Sequence, residues 1–149
     1  MTQKITPQLS RYRVNVTLPP KATVKAAAEM MARHQVGAIM VMAEGQLQGI
    51  FTERDLLNRV VSPGRDPEQT LLQDVMTVAP LTIRIGEEVS EALKLMTDYQ
   101  LRHLPLVDGE KVIGMISMRD LFHLHCSYLQ DNLSTCNALL FGEAYGMAA

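Results

Sequence analysis

The sequence of 149 residues contains no tryptophan, and aromatic residues make up only 5% of it. Apolar residues nevertheless amount to 47%, and ten of them are methionine. Such a composition is typical of a folded globular chain and excludes disorder as its main state. The core is therefore expected to consist of aliphatic side chains and methionine.

An excess of charge of either sign is also missing. Lysine and arginine number 14 and aspartate and glutamate 16, so the formal net charge is −2. A nearly neutral chain has no large positive field to attract a polyanion, so we expect no nucleic-acid polymer as partner. The first ten residues lack the apolar region of a secretory signal, and no apolar run approaches the roughly 20 residues that cross a bilayer. With only two cysteines, Cys126 and Cys136, the sequence predicts a cytoplasmic protein with free thiols and no membrane contact.

Motifs for catalysis are missing as well. The sequence has no phosphate-binding loop with its lysine, no nucleophile elbow and no zinc-protease motif. His123, His125, Cys126 and Cys136 lie near one another but lack the spacing of metal ligands. We therefore expect no catalytic residue, no metal and no required cofactor. A metal-assisted enzyme around His123 and His125 is kept as an alternative.

The sequence contains an internal repeat. A shift of 65 positions gives eight identities in the 34 ungapped pairs from residue 24 to 57, where about two are expected by chance. The identical pairs are Val24 and Val89, Ala27 and Ala92, Met31 and Met96, Gln35 and Gln100, Gly49 and Gly114, Arg54 and Arg119, Asp55 and Asp120, and Leu56 and Leu121. The chain is thus expected to hold two similar units that pack on each other, because a single unit of this size would be only marginally stable.

Each repeat has the pattern of a helix, a hairpin and a second helix. Apolar residues at positions i, i+3, i+4 and i+7 predict helices beginning near Val24 and Val89. Two short apolar runs around a glycine-containing turn then predict strands at 38–42 and 47–51, and at 104–107 and 112–116. The second helices are expected at about 53–60 and 118–129, and prolines at 63 and 67 predict a loop between the repeats.

The same motif occurs in both repeats where a strand passes into a helix. It reads glycine, two apolar residues, threonine or serine, two variable residues and aspartate, and covers 49–55 and 114–120. One interpretation is a capping box, in which Thr52 or Ser117 closes the helix start together with the aspartate. The other interpretation is a nucleotide site, since a helix N-terminus and a hydroxyl suit phosphate, Arg54 or Arg119 adds charge, and a carboxylate suits a ribose diol.

Together with Asp74-Val75-Met76-Thr77 and Arg102-His103-Leu104-Pro105-Leu106-Val107-Asp108, the doubled motif resembles the cystathionine-beta-synthase (CBS) domain family. The resemblance implies an α+β fold in which two beta-alpha-beta-beta-alpha units pack through their sheets about a pseudo-twofold axis. On this basis, 9–62 is the first CBS motif, 63–73 a linker, 74–129 the second motif and 130–149 a tail. The tail is apolar, so we expect it to pack on the module or across a dimer.

The family binds adenosine compounds such as AMP, ADP, ATP, NADH or S-adenosylmethionine in its clefts, and binding regulates an attached or partner protein. Transferred by the resemblance, Asp55 and Asp120 hold ribose, and Thr52 and Ser117 meet phosphate or ribose. The implied set also contains the two motif arginines, Arg54 and Arg119, and polar contacts from Thr17 and Thr82 on the first strands. Main chain at Ala38 and Ile39, and at His103, Leu104 and Pro105, would face the adenine. Arg102 completes the set.

The leading hypothesis is a regulatory module that forms a homodimer and senses an adenosine nucleotide through a change in dimer packing. The alternative is an interaction module with vacant clefts, in which both motifs act only as helix caps.

Overall fold

A computed structural model describes residues 2–11 and 15–146 of the chain. A short helix, α1 (Gln8–Arg11), comes first. The first repeat then contains, in chain order, β1 (Thr17–Leu18), α2 (Val24–His34), β2 (Ala38–Ala43), β3 (Gln46–Thr52) and α3 (Glu53–Asp55), which continues as a π-helix over Leu56–Val61. It is followed by α4 (Leu72–Val75) and β4 (Thr77–Val78). The second repeat contains β5 (Ile83–Arg84), α5 (Val89–Asp98), β6 (His103–Asp108), β7 (Lys111–Ser117) and α6 (Met118–Gly146).

The two hairpins pair their strands in the same register at positions 65 residues apart. Ala38 pairs with Thr52 in the first hairpin and His103 with Ser117 in the second. Both hairpins also have a register shift at the same place, after Val41 and after Leu106. The predicted order of helix, hairpin and helix is thus confirmed in both halves.

The two units pack through their sheets, as the α+β prediction required. Side chains on one face of each hairpin meet in a small central core formed by Ala38, Met40, Ile50 and Met115. Successive residues of a strand point to opposite faces, so Ile39 and Val41 face the helices of the first unit instead. Both faces of the hairpins are therefore buried, and the two units share one body.

Helices cover the outer faces of the two sheets. Val24, Ala27 and Met31 on α2 are buried against the first sheet. The equivalent residues of α5, Val89, Ala92 and Met96, are buried against the second. The apolar spacing that predicted these helices is the spacing of the residues that they bury.

The boundary between the packing units differs from the sequence-based boundary at residue 74. Leu72, expected in a linker, and Val75, expected in the second unit, are buried in the core of the first unit. β4 extends the first sheet, where Thr77 pairs with Ile50. The segment from Leu72 to Val78 thus completes the first unit, because its apolar side chains fill the space beside α2 that the first repeat leaves open.

The N-terminal segment, which lies outside the repeat, likewise packs on a unit that sequence position does not suggest. It contributes to the second unit, although it precedes the first. Ile5 is 1% exposed and lies in the core of the second unit, with Leu9 packed beside it. Its N–H donates to the Glu87 carbonyl (2.8 Å), and its carbonyl accepts from the Gly86 N–H (2.9 Å). The Asn15 side chain then bonds to the backbone of β7. Ile5 and Leu9 thus pack on the second unit, whereas Val16 and β1 belong to the first.

Thr17 lies on the first strand of the first unit, but Thr82 does not lie on the first strand of the second unit. In the first unit the Met40 N–H donates to the Val16 carbonyl (3.0 Å). The residue equivalent to Met40 is Pro105, which has no N–H to donate. The ladder of the second unit consequently starts at Ile83, one residue after Thr82.

The last helix is much longer than predicted. We expected it to end near Leu129, but α6 continues to Gly146. Residues 130–140 of the expected tail are all exposed, so packing on the module is not seen there. Nothing between residues 118 and 146 breaks a helix, because this stretch has no proline and its only glycines are near the end. Residues 147–149 lie outside the described residues.

Candidate ligand clefts between the two units

Both repeated motifs form complete capping boxes. The Thr52 hydroxyl accepts from the Asp55 N–H (3.2 Å), and Oδ2 of Asp55 accepts from the Thr52 N–H and hydroxyl, both at 3.0 Å. In the second motif the Ser117 hydroxyl accepts from the Asp120 N–H (3.3 Å), and Oδ2 of Asp120 accepts from the Ser117 N–H (2.9 Å) and hydroxyl (2.7 Å). The capping interpretation of the motif is therefore realised twice.

The glycine of the first motif is required by a close backbone approach. A Cβ atom on Gly49 would lie 2.6 Å from the Thr77 carbonyl oxygen and 2.8 Å from Sδ of Met76. Both atoms belong to the segment that extends the first sheet. The motif thus holds this segment beside the carboxylate of Asp55.

The second oxygen of Asp55 has protein partners of its own. Oδ1 lies 3.6 Å from Nε of Arg59 and accepts a long bond (3.5 Å) from the Thr77 hydroxyl. Arg59 also donates to the carbonyls of Val75 (3.0 Å) and Met76 (2.8 Å). Asp55 is 8% exposed, and its carboxylate already binds the segment from Leu72 to Val78.

The first cleft lies between the first motif and the turn that precedes β6. It has a volume of about 170 Å³ and includes Thr52, Arg54 and Asp55 from one unit and Arg102 and His103 from the other. Nη1 of Arg54 donates to the Gln100 carbonyl across the cleft at 2.7 Å. Arg54, which the sequence assigned to phosphate, thus bridges the two units here.

The second cleft is the pseudo-symmetric counterpart, formed by the second motif and the turn that precedes β2. Its volume is about 540 Å³, and Ser117 and Arg119 line it from the second motif. Arg102 and His103 contribute from β6 and its turn, and Glu53 from α3. Nη2 of Arg102 lies 4.0 Å from Oε2 of Glu53. Two guanidinium groups and one carboxylate therefore share this cleft.

The two clefts differ in size because the turns that line them differ. Gln100, Leu101, Arg102 and His103 line the first cleft, whereas the equivalent turn of the first repeat has the small residues Gly37 and Ala38 at the last two positions. A Cβ atom on Gly37 would lie 3.2 Å from Cε1 of His103 and 3.3 Å from Oε2 of Glu53. The absence of a side chain at residue 37 keeps the second cleft open.

The remaining predicted residues occupy several places. Ala38 and His103 line a narrow gap of about 20 Å³ between the sheets, together with Ser117. The side chains of Ile39 and Leu104 are fully buried in the two helix-facing cores. Pro105 is also buried, whereas Thr17 and Thr82 are exposed. Asp120 is half-buried and does not belong to the lining of the second cleft.

Sequence reasoning missed several lining residues. Glu53, Phe122, Gln35, Val36 and Gly37 line the second cleft, and Thr77, Gln100 and Leu101 line the first. The identity of Gln35 and Gln100 at the repeat offset was a signal for the facing turns. Both residues adopt positive φ, 53° and 54°, at the ends of α2 and α5.

The described part of the chain lacks two further kinds of feature. No group of three histidine, cysteine, aspartate or glutamate side chains there is placed to hold a metal ion. None of the described helices combines the length and apolarity needed to span a membrane.

Two repeated units, packed sheet to sheet with capped helix starts at both clefts, define a paired α+β module. Residues 9–62 and 72–125 each match the CBS domain family. The chain therefore belongs to the CBS domain family and carries the domain twice in tandem.

Known relatives agree with this assignment. The chain is 36% identical over 105 residues to the CBS domain-containing protein YhcV of Bacillus subtilis, covering 70% of this chain and 74% of YhcV. It is 37% identical over 111 residues to an uncharacterized protein of Methanopyrus kandleri, covering 73% of this chain and only 57% of that protein. Among solved structures, the CBS domain protein PAE2072 from Pyrobaculum aerophilum complexed with AMP is 27% identical, with a TM-score of 0.70 over 78% of this chain and 88% of that one.

Proposed function

We propose that the chain is a regulatory module that binds an adenosine nucleotide, with the second cleft as its principal site. The observation that carries the proposal is the size and lining of this cleft. Its volume of about 540 Å³ falls within the range of roughly 300 to 1,000 Å³ that is usual for small-molecule sites. The first cleft, at about 170 Å³, is below that range.

The second cleft offers groups for a phosphate. Arg102 and Arg119 line it from opposite units, and guanidinium groups form charge-assisted hydrogen bonds with phosphate oxygens. Ser117 stands at the start of α6, a helix of 29 residues, whose N-terminal N–H groups and dipole also favour an anion. A phosphate in this cleft therefore has both charge and hydrogen-bond donors.

The same cleft offers groups for a nucleoside. The Glu53 carboxylate provides acceptor oxygens for hydroxyl groups, and Gln35 provides both a donor and an acceptor. Val36, Met118 and Phe122 provide apolar surface for the base. A related protein of the same fold is complexed with AMP, which supports an adenosine compound as the ligand.

The roles implied by the family resemblance are kept as part of the proposal. A ligand that reaches from the second cleft toward Asp120 would meet the predicted ribose acceptor, and main chain at His103 would border the base. Thr52, Arg54 and Asp55 would form a secondary site only if Arg54 released the Gln100 carbonyl. Because Arg54 and Asp55 in the first cleft are already bonded to other protein groups, we expect this cleft to bind ligand less tightly than the second.

Regulation is proposed to act through α6. Phe122 lines the second cleft and lies on this helix, so a bound nucleotide contacts the element that extends beyond the module. We propose that occupancy changes the packing of α6 in a homodimer and thereby the state of a regulated protein. The module itself is proposed to be non-catalytic and to require no cofactor.

Titration calorimetry with AMP, ATP, NADH and S-adenosylmethionine tests the proposal. Arg119→Ala should weaken binding of the preferred nucleotide by about tenfold, the lower end for a bond to a charged group, because Arg119 is exposed. Arg54→Ala is the matched control, since it removes the equivalent arginine from the first cleft and should change affinity by less than about twofold.

Two outcomes would contradict the proposal. Equal losses in the two variants would mean that the second cleft is not the principal site. No binding of any of the four compounds at sub-millimolar concentration would favour the interaction module, in which the capping boxes have only a structural role.

A further inference from the structure

The long helix α6 carries an exposed stripe of apolar side chains. Leu129, Leu133 and Leu140 are 52%, 64% and 70% exposed. They belong to a series whose spacing alternates between four and three residues: Phe122, Cys126, Leu129, Leu133, Cys136 and Leu140. All six of these side chains are exposed in the single chain.

Alternating spacings of three and four keep side chains on one narrow face of a helix. This is the pattern of the a and d positions in a two-stranded coiled coil, in which each apolar side chain packs between residues of a facing helix. A surface helix normally buries such a face against its own domain. Here residues 129–140 are all exposed, so this part of the helix buries no face in the single chain.

We propose that this stripe packs against the same stripe of a second copy of the chain. The order of spacings, four, three, four, three and four, reads the same in both directions. Two copies can therefore match all six positions in a parallel or an antiparallel pair. In a parallel pair Cys126 lies opposite its own equivalent, whereas in an antiparallel pair Cys126 of each copy lies opposite Cys136 of the other.

The charge distribution favours a second copy over other occupants. Asp131 is the only aspartate, glutamate, lysine or arginine between residues 121 and 142, and the heptad places it on the side opposite the stripe. The positions that flank the stripe also carry no carboxylate, lysine or arginine, since they hold three amides, two histidines and one leucine: His123, His125, Gln130, Asn132, Asn137 and Leu139. Two identical helices thus meet without repulsion between like carboxylates or ammonium groups.

A lipid surface is a poorer match for the same face. Helices that lie on membranes usually carry lysine and arginine that attract anionic headgroups. The stretch from 121 to 142 has neither residue. The neutral stripe and neutral flanks therefore fit a protein helix of the same pattern.

Sedimentation equilibrium of the full chain tests this inference. Leu133→Lys/Leu140→Lys places two charges in the stripe, seven residues apart, and should weaken self-association at least about tenfold. Ser127→Lys/Ser134→Lys is the matched control, because it adds the same charges at the same spacing outside the stripe and should leave association unchanged. Lysine is a good helix former and all four positions are exposed, so both variants should keep the wild-type helix content in circular dichroism.

Cross-linking with diamide, which takes two electrons and two protons from a pair of thiols as the disulfide forms, reports the orientation. A parallel pair should give linked dimers in both Cys126→Ser and Cys136→Ser, whereas an antiparallel pair should lose the link in each. The inference is overturned if the two lysine variants associate equally well, or if the wild-type chain is monomeric at millimolar concentration. Both experiments use nucleotide-free protein and leave Phe122 of the second cleft unchanged, so their failure would leave the proposed ligand function to its own test.

Discussion

The N-terminal segment gives the most quantitative prediction about stability. Ile5→Ala removes three carbon atoms from a side chain that is 1% exposed in the core of the second unit. Because this residue precedes the first repeat, no repeat-based reasoning assigns it to that core. The substitution therefore tests the exchange of segments between the two units directly.

The magnitude follows from the buried surface. Three buried carbons at about 0.8 kcal/mol each give about 2.4 kcal/mol, and a residual cavity would add to this value. The segment is held to Gly86, Glu87 and Val89 mainly by backbone hydrogen bonds of 2.8 to 2.9 Å, so it has some freedom to close the cavity. We expect a loss of about 2 to 3 kcal/mol in the free energy of unfolding.

Urea denaturation followed by circular dichroism measures this loss. For an m-value of about 2 kcal/mol/M, the midpoint should fall by about 1 M. The amides of Gly86 and Val89, which donate to the carbonyls of Ile5 and Gln3, should exchange faster with deuterium. Thr6→Ala, at an exposed neighbouring position, should stay within about 0.5 kcal/mol of wild type. A variant as stable as this control, with unchanged protection of both amides, would refute the reasoning.

Three further substitutions have defined outcomes. Gly49→Ala should lower the free energy of unfolding by about 1 to 3 kcal/mol, since its Cβ would press on the Thr77 carbonyl, and a thermal melt unchanged from wild type would contradict this. Gly37→Leu should fill the second cleft and lower nucleotide affinity at least about tenfold in the calorimetric titration; unchanged affinity would remove that cleft as the site. Glu68→Gln should change stability by less than about 0.5 kcal/mol in urea, because its pair with Lys25 spans 3.4 Å between two exposed side chains; a larger loss would show a contribution beyond a surface pair.

Much of the fold was predictable because it depends on local patterns that occur twice. Helical spacing placed α2 and α5, and apolar runs around glycine turns placed the two hairpins. The motif of glycine, hydroxyl residue and aspartate marked both helix starts, since a capping box needs only residues within one turn. These features require no information about distant parts of the chain.

The candidate site was predicted only in part. The motif residues Thr52, Asp55 and Ser117 do line clefts, because they lie at the exits of the hairpins. Glu53 and Phe122 were missed, since their role depends on which turn of the other unit faces them. The difference between the clefts likewise depends on Gly37 and Arg102, which are equivalent by sequence offset. Once the units pack, Gly37 lines only the second cleft, whereas Arg102 lines both.

The sequence by itself determined the repeat, the order of helix, hairpin and helix in each unit and the family, because all three are encoded in short-range spacing and a doubled motif. Only the tertiary structure decided which segments complete which core. Ile5 packs on the second unit and Leu72 on the first because burial of an apolar side chain depends on space left open by other elements, not on position along the chain. Packing also decided that the second cleft is larger than the first, since a volume is formed by surfaces that meet only when the two sheets come together.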